Sequence, residues 1–182
     1  MSAPNSLGRA ALLLACMPLG LLHAEETSIT SPELEPVTSL LTHKLSNRIV
    51  VRRQFDARPE LFCSPSLLNQ VVMNIVGNAA DAIEDQGAIT IATRESDGQY
   101  VIEIADTGPG VPEDIRENIF DPFVTTKPSG TGLGLALVAK IVGDHGGVIE
   151  CESQPGHTAF RVLMPAWTEA MDKITTSPRS TD

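Results

Sequence analysis

The chain has 182 residues, with 13 Lys and Arg against 23 Asp and Glu, and a formal charge of -10. That length is enough for one domain whose core needs neither disulfides nor a structural metal. The charge, with its basic residues dispersed, argues against binding a polynucleotide backbone. Cys16, Cys63 and Cys151 have no Cys-x-x-Cys spacing, so they read as reduced, cytosolic thiols rather than a metal or dithiol motif.

Arg9 precedes an apolar run from Ala10 to Met17 that continues through Leu19 to Leu22 and ends at Ala24. A secretory signal has a similar outline. Pro18 and Gly20 interrupt this run, however, and Leu22 stands where a small residue is preferred before cleavage. The run is therefore read as an amphipathic or irregular segment, too short for a membrane span. The expected location is cytoplasmic, with membrane association or a signal as the alternative.

Residues 25–36 are acidic and Ser/Thr-rich, contain Pro32 and Pro36, and read as a linker. Residues 1–33 are accordingly set apart as an N-terminal apolar and linker segment, and the domain is expected over 34–165. Within it Val37, Leu40, Leu41 and Leu45 recur at helical spacing. Ile49 to Phe55 then reads as an edge or near-edge strand with Arg52 and Arg53 exposed. His43 reads as a surface histidine, because no acidic residue follows it.

Ser64 as cap, Pro65 in the first turn and Gly87 beyond the last turn predict a helix over about residues 65–86. Leu67, Leu68, Val71, Val72, Ile75, Val76, Ala79, Ala80 and Ile83 form its apolar stripe, to be packed on a sheet. Gln70, Asn74 and Asn78 follow at four-residue spacing along one side, with Asp81 three residues further on. Such amides can hold a hydrated magnesium and phosphate oxygens, since magnesium takes many of its oxygens from water and substrate. A solvated helix face is the plainer alternative, but asparagines inside a helix cost propensity without a packing gain.

Ala88 to Thr93 and Tyr100 to Ala105 predict an antiparallel hairpin turning at Ser96-Asp97-Gly98. Its second strand delivers Asp106. A carboxylate there can accept a hydrogen bond from the exocyclic amine of adenine, where guanine presents a carbonyl, and Gly108 and Gly110 let the backbone approach a flat base. Asp106-Thr107-Gly108-Pro109-Gly110 also makes a good turn with no ligand at all.

Pro112 to Asn118 predicts a short helix. Phe120 and Phe123 then flank Pro122, either anchoring a lid or filling a satellite core. In the polar segment Thr125 to Ser129, Lys127 either reaches terminal phosphates or is an idle exposed lysine.

Gly130-Thr131-Gly132-Leu133-Gly134 opens directly into the helical run Leu135 to Val142, which puts backbone amides where a helix N-terminus faces anions. No Lys-Ser/Thr pair follows, so this is not a P-loop. Neither the spacing nor the preceding strand fits the dinucleotide fingerprint. Gly146-Gly147 ends the helix, and Val148 to Glu152 and Thr158 to Met164 predict a closing hairpin around Gln154-Pro155-Gly156. Thr158 could support adenine from behind, although a β-branched residue at a strand start needs no special reason. Residues 166–182 read as a tail.

Four boxes in order carry a resemblance: Asn74-Ile75-Val76-Gly77-Asn78-Ala79, Asp106 to Gly110, Phe120-Asp121-Pro122-Phe123 and Gly130 to Gly134. Together, over residues 34–165, they resemble the catalytic, ATP-binding domain of sensor histidine kinases, in the superfamily that includes DNA gyrase, Hsp90 and MutL. Phe123 to Lys127 and Ser153 to Gly156 look most like the nitrogen-regulation sensor kinases.

The resemblance implies a Bergerat-type α/β sandwich, with a mixed, mainly antiparallel sheet covered on one face by helices and a mobile ATP lid. It implies ATP and Mg2+ as ligands, Asn78 as the magnesium ligand, Asp106 as reader of the adenine amine, and Gly130, Thr131, Gly132, Leu133 and Gly134 at the triphosphate. Asp81, Gly108, Gly110, Phe120 and Thr158 complete the expected nucleotide set, and Asn74 and Lys127 are the candidates at the phosphates. In ATP-hydrolysing relatives a glutamate one turn before the magnesium asparagine activates water. Asn74 stands there and cannot act as a base, so efficient hydrolysis is not expected.

The family's phosphoacceptor histidine, followed by Glu and then Pro, has no match here: His23 is followed by Ala24 and His43 by Lys44. The expected partner is thus an acceptor-histidine domain, in cis of a longer chain or in trans, with a response regulator beyond it and no nucleic acid. The alternatives are a serine-kinase or anti-sigma-like regulator, an ATP-sensing module without chemistry, and a degenerate relative.

Overall fold

The computed structural model of the chain describes residues 27–29, 48–55 and 61–166. The expectations for the apolar run, the helix around Val37 to Leu45, His43 and the tail lie outside the described residues. In chain order the elements are β1 (Thr27–Ile29), β2 (Ile49–Phe55), β3 (Leu61–Cys63), α1 (Pro65–Ala82), β4 (Gly87–Ser96) and β5 (Gln99–Asp106). Then come α2 (Glu113–Arg116), α3 (Gly134–Asp144), β6 (Val148–Gln154) and β7 (His157–Pro165).

One sheet has the order β2-β4-β5-β7-β6, with β2 at an edge as expected. β2 runs parallel to β4 and the other neighbours are antiparallel, so α1 lies in the crossover that a parallel pair requires. The β4–β5 hairpin turns at Asp97-Gly98, both at positive φ (53° and 72°), as a tight two-residue turn demands. β1 pairs antiparallel with β3, which corrects the reading of residues 25–36 as linker throughout. A three-residue strand leaves too short a pattern to read.

The start of α1 is where capping logic puts it, with Ser64 extended and Pro65 in the first turn. Ser64 nevertheless makes no side-chain cap; its hydroxyl pairs with Ser66 Oγ at 2.9 Å. The helix stops at Ala82 rather than near Gln86, because Ile83 turns extended while its N–H still bonds the Ala79 carbonyl. Gly87 is no helix cap. It is the first residue of β4, where a Cβ would stand 2.7 Å from Thr107 Oγ1 and 2.9 Å from Ile83 Cγ2.

The helical stripe packs as its spacing requires. Leu68, Val71, Val72, Ile75, Val76 and Ala79 of α1 and Val138, Ile141 and Val142 of α3 share one buried cluster with Ile89, Ile91, Tyr100, Ile102, Ile104, Phe160, Val162 and Met164 of the sheet. On the opposite face Arg94, Glu103, Arg161 and Glu152 form an ion-pair ladder across β4, β5, β7 and β6, with bonds of 3.2, 2.7 and 2.9 Å. Burial would raise the Glu103 carboxyl, but the bonds from Arg161 and Arg94 outweigh it and hold it below its ordinary value.

Ile75 is fully buried at the centre of this core. Ile75→Ala is expected to lower unfolding free energy by about 2–5 kcal/mol, read in urea as a lower midpoint with an unchanged slope.

Candidate functional site

The inward rows of three neighbouring strands end in polar residues at the same end of the sheet. Ile102 and Ile104 lead to Asp106 on β5, Val162 and Phe160 to Thr158 on β7, and Ile149 and Cys151 to Ser153 on β6. Register sets Asp106 opposite Thr158 and Thr158 opposite Ser153, so the three form one cross-strand row.

Asp106 is only 4 % exposed, and a buried carboxylate needs partners. The Gly108 N–H donates to its Oδ1 at 2.8 Å, which orients the carboxylate. Burial raises the Asp106 carboxyl above its ordinary 3.8, partly countered by the Gly108 amide and the charge of His157. Burial likewise pushes the Cys151 thiol up to about 11, so it stays protonated at neutral pH.

The glycine loop after Asp106 is locked onto the β6–β7 hairpin. The Gly156 N–H donates to the Gly108 carbonyl at 2.9 Å, and the Val111 N–H donates to Ser153 Oγ at 2.8 Å. Gly110 has φ +90°, and a Cβ there would lie 2.9 Å from the Gln154 carbonyl oxygen, so the close approach requires glycine. Thr107 is turned the other way, accepting from the Ala88 N–H at 3.0 Å.

A cleft of about 410 Å³ runs from this row to the C-terminal half of α1. Asp106, Gly110, Thr158 and Phe160 line one end; Val111, Pro112, Ile115 and Ile119 add an apolar wall. Asn78 and Asp81 of α1 line the other end, facing Lys127, Gly130, Thr131, Gly132 and Gly134.

At that far end Lys127 Nζ donates to Asn78 Oδ1 at 3.0 Å and to Asp81 Oδ2 at 2.7 Å. The lysine bridges the segment between the glycine boxes to α1. Lys127 and Asp81 side chains are 39 % and 64 % exposed, and ion pairs this wet contribute between zero and about 1 kcal/mol. The ammonium is therefore readily exchanged for another partner. Beside it begins α3, whose first-turn N–H groups have no intrahelical acceptors. Gly134 stands beside α1, where a Cβ would lie 3.4 Å from Asn74 Oδ1, an ordinary contact.

The segment between the boxes is closed at its base by the Phe123 N–H donating to the Gly132 carbonyl at 3.0 Å. Gly132 has φ +66°, and a Cβ would collide with the Phe123 backbone. The two phenylalanines part company. Phe120 is half-buried and meets Phe160 edge-on at 6.3 Å, whereas Phe123 is 77 % exposed at φ 70°, which corrects any burial of both rings.

Of the residues expected at a ligand, Asn78, Asp81, Asp106, Gly110, Lys127, Gly130, Thr131, Gly132, Gly134 and Thr158 line the cleft together. Asn74, Gly108, Phe120 and Leu133 are outside its wall. Asn74 stands by the α3 start, Gly108 and Phe120 support from behind, and Leu133 is 45 % exposed. Sequence reasoning missed Ser153. Its signal was a polar residue at an inward position of a strand. No helix among the described residues is long and apolar enough to cross a membrane.

Residues 63–168 match the family of histidine kinase-, DNA gyrase B-, and HSP90-like ATPases, and the chain belongs to that family. The sensory histidine kinase/phosphatase NtrB of Rhizobium leguminosarum bv. phaseoli is 41 % identical over 165 residues, covering 81 % of this chain and 43 % of NtrB. The C4-dicarboxylate transport sensor protein DctB of Rhizobium meliloti (strain 1021) is 47 % identical over 97 residues, covering 52 % of this chain and 16 % of DctB. The catalytic domain of histidine kinase ThkA is similar in fold, with a TM-score of 0.70 at 32 % identity, covering 78 % of this chain and 97 % of that one. Full-length ShkA matches at a TM-score of 0.73 and 27 % identity, covering 90 % of this chain and 36 % of its own. The chain thus spans less than half the length of NtrB.

The raised Asp106 carboxyl makes stability depend on pH. A carboxyl held above its unfolded value keeps its proton longer in the folded state, so stability falls as pH rises from 3.8 through the raised value. Asp106→Asn removes that charge and keeps an oxygen for the Gly108 N–H. Its thermal midpoint at pH 7 is expected to equal or exceed that of the unsubstituted chain, with the gap closing as pH falls toward 3.8, in melts across a pH series.

Proposed function

We propose that the cleft binds Mg-ATP, with adenine against Asp106 and Thr158 and the triphosphate between α1 and the Thr125–Gly134 segment. It would present the γ-phosphate to a histidine supplied elsewhere. The observation that carries this reading is the polarity of one cleft. A buried carboxylate lies at one end, and a lysine ammonium with a free helix N-terminus lies at the other. The first suits a base amine and the second a polyphosphate. ShkA, at 27 % identity, was solved in complex with AMPPNP, which supports the same assignment.

The residues at the far end fit a cation. Asn78 Oδ1 and Asp81 Oδ2 already share one, the Lys127 ammonium, which stands in for the ion. Asn78 would hold Mg2+ through its oxygen, with water and phosphate completing the shell. The ion would neutralise charge on the β- and γ-phosphate oxygens. Lys127, released from its exposed pair, would turn to the phosphates. Asn74 has no basic atom to activate water, so the site favours transfer over hydrolysis. In that transfer a histidine ring nitrogen bonds to the γ-phosphorus while the bond to the β-γ bridging oxygen breaks and ADP leaves. The acceptor would come from a longer chain or a partner, and a response regulator would then take the phosphoryl group.

Titration calorimetry of the full chain tests the binding. Saturable magnesium-dependent ATP binding, with GTP weaker, is expected, and a folded sample that binds neither would end the proposal. Asn78→Asp adds a negative charge facing the triphosphate and tightens the hold on Lys127. It is expected to weaken Mg-ATP by roughly tenfold or more, about 1.4 kcal/mol, with the melting curve little changed. Transfer of labelled γ-phosphate to an added acceptor-histidine hairpin separates a kinase domain from a module that only senses ATP.

A further inference from the structure

Ser153 reaches the cleft only through a neighbour, yet it occupies a decisive place in the cross-strand row. It is 9 % exposed on β6. Its Oγ accepts the Val111 N–H at 2.8 Å and stands 3.0 Å from Thr158 Oγ1, and these are its two partners among the described residues. Thr158, 4 % exposed, lines the cleft directly.

Each hydroxyl has one proton, and the hydrogen bond between them takes one of the two. Were Thr158 the donor, the Ser153 proton would have no acceptor, because its other partner, the Val111 N–H, is itself a donor. A buried proton left unpaired bears the full desolvation penalty of its group. With Ser153 as donor both of its own bonds are made. Ser153 accepts from Val111 and donates to Thr158, which leaves the Thr158 proton free to turn into the cleft.

We infer that Ser153 is a positioning residue that sets Thr158 as a hydrogen-bond donor toward the base and so takes part in choosing adenine. The inference rests on the nucleotide reading of the cleft. Asp106 then presents an acceptor and Thr158, opposite it in register, a donor. That pair complements the amine and ring N1 of adenine, directly or through a water. Guanine carries a carbonyl and an N1–H at the same two places and mismatches both.

The test measures dissociation constants of the full chain for ADP and for 1-deaza-ADP, which keeps the amine but replaces the N1 acceptor with C–H. The unsubstituted chain is expected to prefer ADP by about fivefold, the worth of one ordinary hydrogen bond. In Ser153→Ala that preference is expected to fall below about twofold, because Thr158 is no longer held as donor. Ser153→Thr, which keeps a hydroxyl, restores it. Should Ser153→Ala not fold by circular dichroism, Ser153→Cys, of similar size and a weak donor, takes its place with the same expectation.

A purely structural Ser153 would give a different pattern. Both ligands would weaken by one factor and the preference would stand unchanged, which overturns the inference while leaving the nucleotide site intact. A folded, unsubstituted chain that binds neither ligand removes the nucleotide reading itself, and this inference with it.

Discussion

The packing of α1 across the sheet is the constraint on which the rest of the molecule depends. One face of this helix is the core stripe from Leu68 to Ala79, and burying it leaves no freedom in where the other face points. Asn78 and Asp81 are therefore held at a set distance from the polar ends of β5 and β7. The cleft is the space left between a helix and the end of the sheet it covers. Its length is set by apolar packing, although its lining at both ends is polar.

The two ends are built by opposite electrostatic means. At Asp106 the fold gives up stability: burial opposes the charge, and a single backbone amide and a neighbouring histidine only partly offset it. At Lys127 almost nothing is at stake, since the ion pair is wet and adds little to the fold. A buried carboxylate is suited to selecting a ligand group by its hydrogen-bonding pattern. An exposed, weakly held ammonium is suited to changing partners. Glycine appears where backbone must come close, at Gly110 against β6 and Gly132 against Phe123, and both residues line the cleft.

Much of this is legible in the chain. The helical stripe, the hairpin at Asp97-Gly98 and the glycine cluster opening α3 are local patterns with a fixed period or a required φ, and each forms where expected. The departures are also local in cause. Gly87 reads as a helix end because glycine ends helices, whereas here it serves a close approach to Thr107 and Ile83. Their places either side of Pro122 pair Phe123 with Phe120, but Phe123, in a left-handed backbone, is exposed while Phe120 meets Phe160.

The sequence by itself determined the family, the identities of the boxes and the face of α1 on which the amides lie, because those depend on spacing within one element. The tertiary structure alone decided that Lys127 bonds Asn78 and Asp81, 49 and 46 residues away, and that Ser153 joins Val111 to Thr158. Such bonds leave no periodic trace in a chain. They arise when strand register and helix packing bring distant side chains within hydrogen-bond reach, where each donor must find an acceptor.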